Sequence, residues 1–179
     1  VVPNTRIVLL MVAAALLATS VEAQDLTWAE RSYRSAVARY FELPEEEIAI
    51  LGHWELPTEE IAVILFMARR SGISPEALVA LRQSGRSLTE LAERYRIGGQ
   101  VLHVPLSDPA AAGSLTDIYE RFGQVPVSEW SNISLTGDDI ITLVNVRVLS
   151  DSLGLLPDEI MRHTASTNSF VELYIQLLR

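Results

Sequence analysis

Apolar residues recur at helical spacing along most of the chain. Tyr33, Ala36, Val37, Tyr40 and Phe41 fall on one face of a helix. Ahead of them, Thr27-Trp28-Ala29-Glu30 has capping-box spacing, a hydroxyl able to accept from the N3 amide and a Glu that reaches back. Leu43-Pro44-Glu45-Glu46-Glu47-Ile48-Ala49 is echoed 13 residues later by Leu56-Pro57-Thr58-Glu59-Glu60-Ile61-Ala62. Each places Pro where a first-turn amide needs no partner, with acids at the positive helix end. The second of these helices is apolar on every side from Ile61 to Ala68, which predicts burial at the centre of the core. Arg69-Arg70-Ser71-Gly72 supplies cations and a glycine to end it. Ser74-Pro75-Glu76 starts the next helix, with Ala77, Leu78 and Leu81 as its apolar face and Gly85 as its stop. Ser87-Leu88-Thr89-Glu90 is a second capping box, leading through Leu91 and Tyr95 to a break at Gly98-Gly99.

The pattern changes between Gln100 and Ser134. Val101, Leu102, Val104 and Leu106 are β-prone, as are Val125 and Val127, so a short ribbon is expected, confined to an edge by Pro105 and Pro126. Pro109-Ala110-Ala111-Ala112-Gly113 reads as a surface loop, and a short helix is expected around Leu115 to Phe122.

From Leu135 the earlier order returns. Leu135, Asp138-Asp139 and Ile140 align with Leu56, Glu59-Glu60 and Ile61, and Pro157 aligns with Pro75. Ser169-x-x-Glu172-Leu173 then matches Ser87-x-x-Glu90-Leu91. Chance helical periodicity explains the apolar positions. It explains less easily an acid pair, a Pro start and a capping box in one order. The expected fold is therefore all-α: two related three-helix units, about 57–97 and 136–178, around two apolar central helices, with a short irregular or β-like middle. The core is expected on Ile61, Ile64, Leu65 and Ala68, and on Ile140, Leu143 and Val144.

The first 23 residues read as a secretory signal peptide: Arg6, the apolar run Ile7 to Ala18, and Val21-Glu22-Ala23 before a cut at Gln24. That run is shorter than the ~20 apolar residues a spanning helix needs, so no stable membrane anchor is expected after cleavage. One helical domain over 24–179, exported to the periplasm or beyond, remains. It has no cysteine, so its core alone must hold it.

The charge is −9, with 14 arginines and no lysine. An acidic surface repels phosphate backbones, so nucleic acid is not an expected partner. The stretch Leu78 to Ile97 has the outline of a helix-turn-helix, with Arg82, Arg86, Arg94 and Arg96 as its cations, but a packed helical hairpin explains it better. His53, His103 and His163 have no second His or Cys at ligand spacing, so no metal is expected. Glu45-Glu46-Glu47, Glu59-Glu60 and Asp138-Asp139 sit in first turns, where the helix dipole accounts for them. No nucleophile motif and no phosphate loop occurs, so no catalytic residue and no cofactor is expected. Two polar residues interrupt an apolar helix: Asn145 and Arg147 stand where the first unit has Phe66 and Ala68. A structural network is the expected role, and a polar anchor in a groove between the units is the functional alternative.

The order of the ELPxEEIA-type helix, Ser-Pro-Glu-Ala-Leu, Leu-Thr-Glu-Leu-Ala, Val-Pro, Asp-Asp-Ile-Ile-x-Leu-Val-Asn and Pro-Asp-Glu-Ile resembles a family of small exported bacterial all-helical proteins without an assigned activity. The resemblance covers roughly 43–106 and 135–175 and rests on helix caps and core positions, so it implies fold and export and no site residue. The expectation is a non-enzymatic exported protein that builds structure or binds a protein partner in the cell envelope. A hydrolase with a composite site between the units, or a helix-turn-helix regulator, are the alternatives.

Overall fold

The computed structural model describes residues 28–164, 167 and 169–178. The expected leader, its cleavage site and Thr27 lie outside these residues. Every regular element among the described residues is a helix, with no strand among them. Helix α1 covers 28–40. It is followed by α2 (Glu45–Leu51), α3 (Thr58–Ser71), α4 (Pro75–Gln83), α5 (Leu88–Arg94) and the single turn α6 (Gly99–Leu102). A 3₁₀ segment, Pro109–Leu115, leads into α7 (Thr116–Gln124), and another, Val127–Asn132, precedes α8 (Gly137–Leu153), α9 (Pro157–Thr164) and α10 (Phe170–Leu177).

Local chemistry sets most helix ends. The Ser74 hydroxyl accepts from the Ala77 amide, Ser87 and Glu90 close a capping box, and Thr136 and Asp139 close another. Ser169 accepts from the Glu172 amide at the start of α10. Pro44 and Pro57 stand just before the first helical residue, in extended backbone, rather than inside the first turn as the sequence suggests. Their locked φ sets the extended approach to the helix.

Helices α3 and α8 pack on one another at the centre. Every residue from Glu60 to Met67 is buried, and Ala68 with them. The expected core residues Ile61, Ile64, Leu65, Ala68, Ile140, Leu143 and Val144 are all buried. Removing each large one from water is worth ~1.5–3 kcal/mol, which explains why a helix with no polar face sits here. Helix α4 lies against α3, and α9 against α8. The third helix of each stretch reaches across: the Thr89 hydroxyl of α5 donates to the Leu135 carbonyl ahead of α8, and Ser169 ahead of α10 donates to Glu59 of α3.

The middle segment departs from the expected ribbon. Residues 99–102 form a helical turn directly after the Gly98-Gly99 break, and 109–132 is helical almost throughout. The carbonyls of Val101, Leu102 and His103 accept from the Arg147 guanidinium, and that of Val104 accepts from the Tyr119 hydroxyl. Side chains from α8 and α7 thus satisfy acceptors that a partner strand would have used. Pro109 to Gly113 is likewise no surface loop. Asp108 caps it through the Ala110 amide, and Ala111 and Ala112 are buried as it packs on α9.

Two acids predicted as dipole partners have wider roles. Glu60, buried, receives both Nε and Nη2 of Arg82 at 2.7 and 2.9 Å, which ties α4 to α3. Oε1 of Glu59 accepts from the Ser169 hydroxyl at 2.8 Å and the Phe170 amide at 2.5 Å, which docks the start of α10 on α3.

Candidate functional site

The polar pair Asn145 and Arg147 does not converge on one site. Asn145 is fully buried. Its Oδ1 accepts a hydrogen bond from the Tyr33 hydroxyl, and its Nδ2 donates to the carbonyls of Glu59 at 3.2 Å and Ile141 at 2.8 Å. It therefore joins α1, α3 and α8, and its capacity is spent inside the fold. Burial, and then the Glu59 charge, push the Tyr33 phenol well above its ordinary range, so it stays a neutral donor.

Arg147 looks to another side of α8. Its guanidinium lies 4.9 Å from the Phe66 ring centroid, and its Nη2 donates to His103 at 3.0 Å. These contacts close the C-terminal end of α6 with a positive charge. Burial pulls the guanidinium below its ordinary range. His103 continues from there into an aromatic cluster, with ring centroids 4.4 Å from Trp130, 4.8 Å from Phe122 and 5.5 Å from Tyr119. Burial, and then the Arg147 charge, hold its imidazole below the usual histidine range. Burial pushes the Tyr119 phenol up to about 12. These contacts of Asn145 and Arg147 lie inside the fold, on different sides of α8, and the Nη1 of Arg147 is buried without a hydrogen-bond partner among the described residues.

The other flagged groups scatter. His53 and His163 are exposed and apart from His103. Among the described residues no group of three or more His, Cys, Asp or Glu is placed to hold a metal ion. Of the four arginines in the helix-turn-helix outline, Arg82 is bound to Glu60 and Arg86 to Glu90, while Arg94 lies 5.8 Å over Tyr95. Arg96 is the exception.

Arg96 stands at a groove that the sequence does not announce. The cavity, ≈ 390 Å³, runs between the C-terminal half of α5 and residues 131–135. Its floor is apolar: Ala92, Ile97, Leu135 and Ile140 are all buried. Its rim is polar and exposed: Glu93, Arg96, Ser131, Asn132 and Ser134. The side chains of Glu93, Arg96 and Asn132 make no hydrogen bond or ion pair with the described residues. Exposed polar groups thus stand around a floor that the fold itself has almost wholly buried.

Two local features build the groove. Helix α5 ends with the Ile97 amide on the Ala92 carbonyl at 2.8 Å and the Arg96 amide on that of Glu93 at 3.2 Å, which turns the chain sharply at Arg96. The far wall then closes on the glycine doublet. A Cβ at Gly98 would stand 2.8 Å from the Ser131 carbonyl oxygen, and one at Gly99 would stand 2.6 Å from that of Trp130. The doublet is thus a backbone-on-backbone contact, which only glycine permits.

No family model matches the chain, and neither a curated protein nor a solved structure matches it.

Proposed function

We propose that this protein is a non-enzymatic, exported, helical binding protein of the cell envelope, and that the groove beside α5 holds a segment of a protein partner. The observation that carries this reading is the groove itself: an apolar floor under Glu93, Arg96 and Asn132, none of which has a partner within the described residues. A polypeptide segment suits such a place, because its side chains cover the floor and its amides need the polar rim. Asn145 does not contribute, since its three hydrogen bonds stay inside the fold. Export belongs to the same proposal and rests on Arg6, the apolar run Ile7 to Ala18 and Val21-Glu22-Ala23. So does the duplication of the units near 57–97 and 136–178, which the shared order of a Gly-ended helix, a Pro-started helix and a Ser-capped helix supports.

The test is selection of random peptides on the full chain, with counter-selection on Asn132→Trp. Asn132 is exposed, so the indole fills the groove without entering the core. Peptides that bind the native chain and lose binding to the variant support the reading. Selection that yields only peptides indifferent to the variant, or none, overturns it. Intact mass of exported material tests the leader, with Gln24 expected as the first residue.

A further inference from the structure

His103 follows α6 directly and sets its ring among three others. Trp130 of the 3₁₀ segment lies at 4.4 Å between centroids, and Phe122 and Tyr119 of α7 lie at 4.8 and 5.5 Å. The same residues hold the neighbouring backbone. The Trp130 indole donates to the carbonyls of Phe122 at 3.0 Å and Val125 at 3.3 Å, and Gly99 stands against the Phe122 ring and the Trp130 carbonyl. From Trp130 the chain runs straight into 131–135, the far wall of the groove beside α5. The cluster around His103 therefore fastens that wall to α6 and α7.

The charges around the imidazole are one-sided. It is half-buried, and its nitrogens make no hydrogen bond within the described residues. Helix α6 carries no charge. From α8 comes the Arg147 guanidinium, whose Nη2 lies 3.0 Å from the His103 carbonyl. From α7 comes the Tyr119 phenol, which stays neutral and donates to the Val104 carbonyl. Asp117, Glu120 and Arg121 of α7, and Glu129 beside Trp130, are exposed. No carboxylate among the described residues balances an imidazolium here, while a permanent cation opposes one. Burial acts the same way, which is why the imidazole lies below the usual histidine range. A histidine so placed favours the closed cluster above its ordinary pKa of about 6.5. That contribution is lost as the pH falls through its own lower value.

We propose that His103 is an acid-released clasp: when its imidazole gains a proton, the segment 127–135 loosens from α6 and α7 and the groove beside α5 loses its far wall. The neighbouring ring faces would favour an imidazolium. They do so against both the loss of water and the charge of Arg147, and those two prevail. The clasp does not depend on what occupies the groove, so it stands or falls apart from the binding reading.

The probe is hydrogen exchange at the Trp130 indole N–H, followed by NMR in the ¹⁵N-labelled full chain and divided into the rate of free N-acetyltryptophanamide at the same pH. The signal is assigned by its absence in Trp130→Phe. Between pH 7.5 and 5.0 the protection of this N–H should fall at least about fivefold in the native chain. In His103→Gln it should stay level. His103→Phe puts a ring without a titratable nitrogen in the same place, and it keeps the test readable if glutamine leaves the cluster open at both pH values. Protection that is equal at the two pH values in the native chain overturns the clasp. So does greater protection at pH 5.0, which would mean that the ring faces prevail. A fall of the same size in His103→Phe also overturns it, because the responding group would then lie elsewhere.

Discussion

Asn145 offers the sharpest test of how the central helices are held. Asn145→Leu keeps the side-chain size and removes three hydrogen bonds. The losses are unequal. The carbonyls of Glu59 and Ile141 lie well before the C-terminal turns of their helices, where the helix already supplies a donor, and each keeps that bond. The Tyr33 hydroxyl is different: Tyr33 is fully buried, and Asn145 is the partner of its hydroxyl. Leaving it unsatisfied costs ~1–3 kcal/mol, and the two lost amide bonds add ~0.5–1.5 kcal/mol each, so a total of ~2–6 kcal/mol is expected. Tyr33→Phe alone leaves the Asn145 oxygen without a donor and should cost ~1–3 kcal/mol by the same reasoning. In Tyr33→Phe/Asn145→Leu both orphans disappear together. The double variant should therefore fall short of the sum of the singles by at least ~1 kcal/mol. Urea unfolding at neutral pH, followed by circular dichroism, measures all four proteins. Additivity within ~0.5 kcal/mol would refute the argument, because it would mean that the two groups do not depend on each other.

Three further outcomes follow from particular residues. Asp158 is buried and accepts from the amides of Ser107 at 3.1 Å and Asp108 at 2.8 Å. Burial opposes its charged form, but these amides prevail and hold its carboxyl below the ordinary aspartate range. A depressed carboxyl contributes stability above its unfolded pKa of about 3.9 and loses it as the pH falls through the folded value. Melting temperature against pH should thus drop below about pH 4 in the native chain and drop less steeply in Asp158→Asn, and parallel curves would exclude the effect. Gly99→Ala should destabilise by ~1–3 kcal/mol, because its Cβ would meet backbone at 2.6 Å, whereas Gly123→Ala, with open space around it in α7, should stabilise by ~0.5–1 kcal/mol. Urea midpoints of the two variants that shift in the same direction would contradict the packing of α6 on 130–131. Mixed duplex DNA should not bind the chain in an anisotropy titration at low salt, since Glu90 and Glu93 are exposed on α5. Tight binding that weakens steeply with salt would revive the regulator reading.

The sequence by itself determined the helices, most of their ends and the burial of two of them. Those properties are local or nearly so. Ser74, Ser87, Thr136 and Ser169 each satisfy an amide three residues away, and a helix apolar on all sides has nowhere to go but the centre. The middle segment was misleading for a related reason. The β-propensity of Val101, Leu102 and Val104 is a weak preference that depends on neighbours, and the neighbour that decided it is Arg147, more than 40 positions away. The roles of Asn145, Glu59 and Glu60 likewise depend on partners brought in by the fold: Tyr33 lies 112 positions from Asn145, and Ser169 lies 110 from Glu59. The groove could not be read in advance because its two walls come from separate parts of the chain and meet where a glycine doublet admits another backbone. One local trace of it was present, an arginine at the end of α5 where the ends of α3, α4 and α8 carry glycine. Only the tertiary structure, by placing Ser131 and Leu135 opposite it, gave that arginine a groove to face.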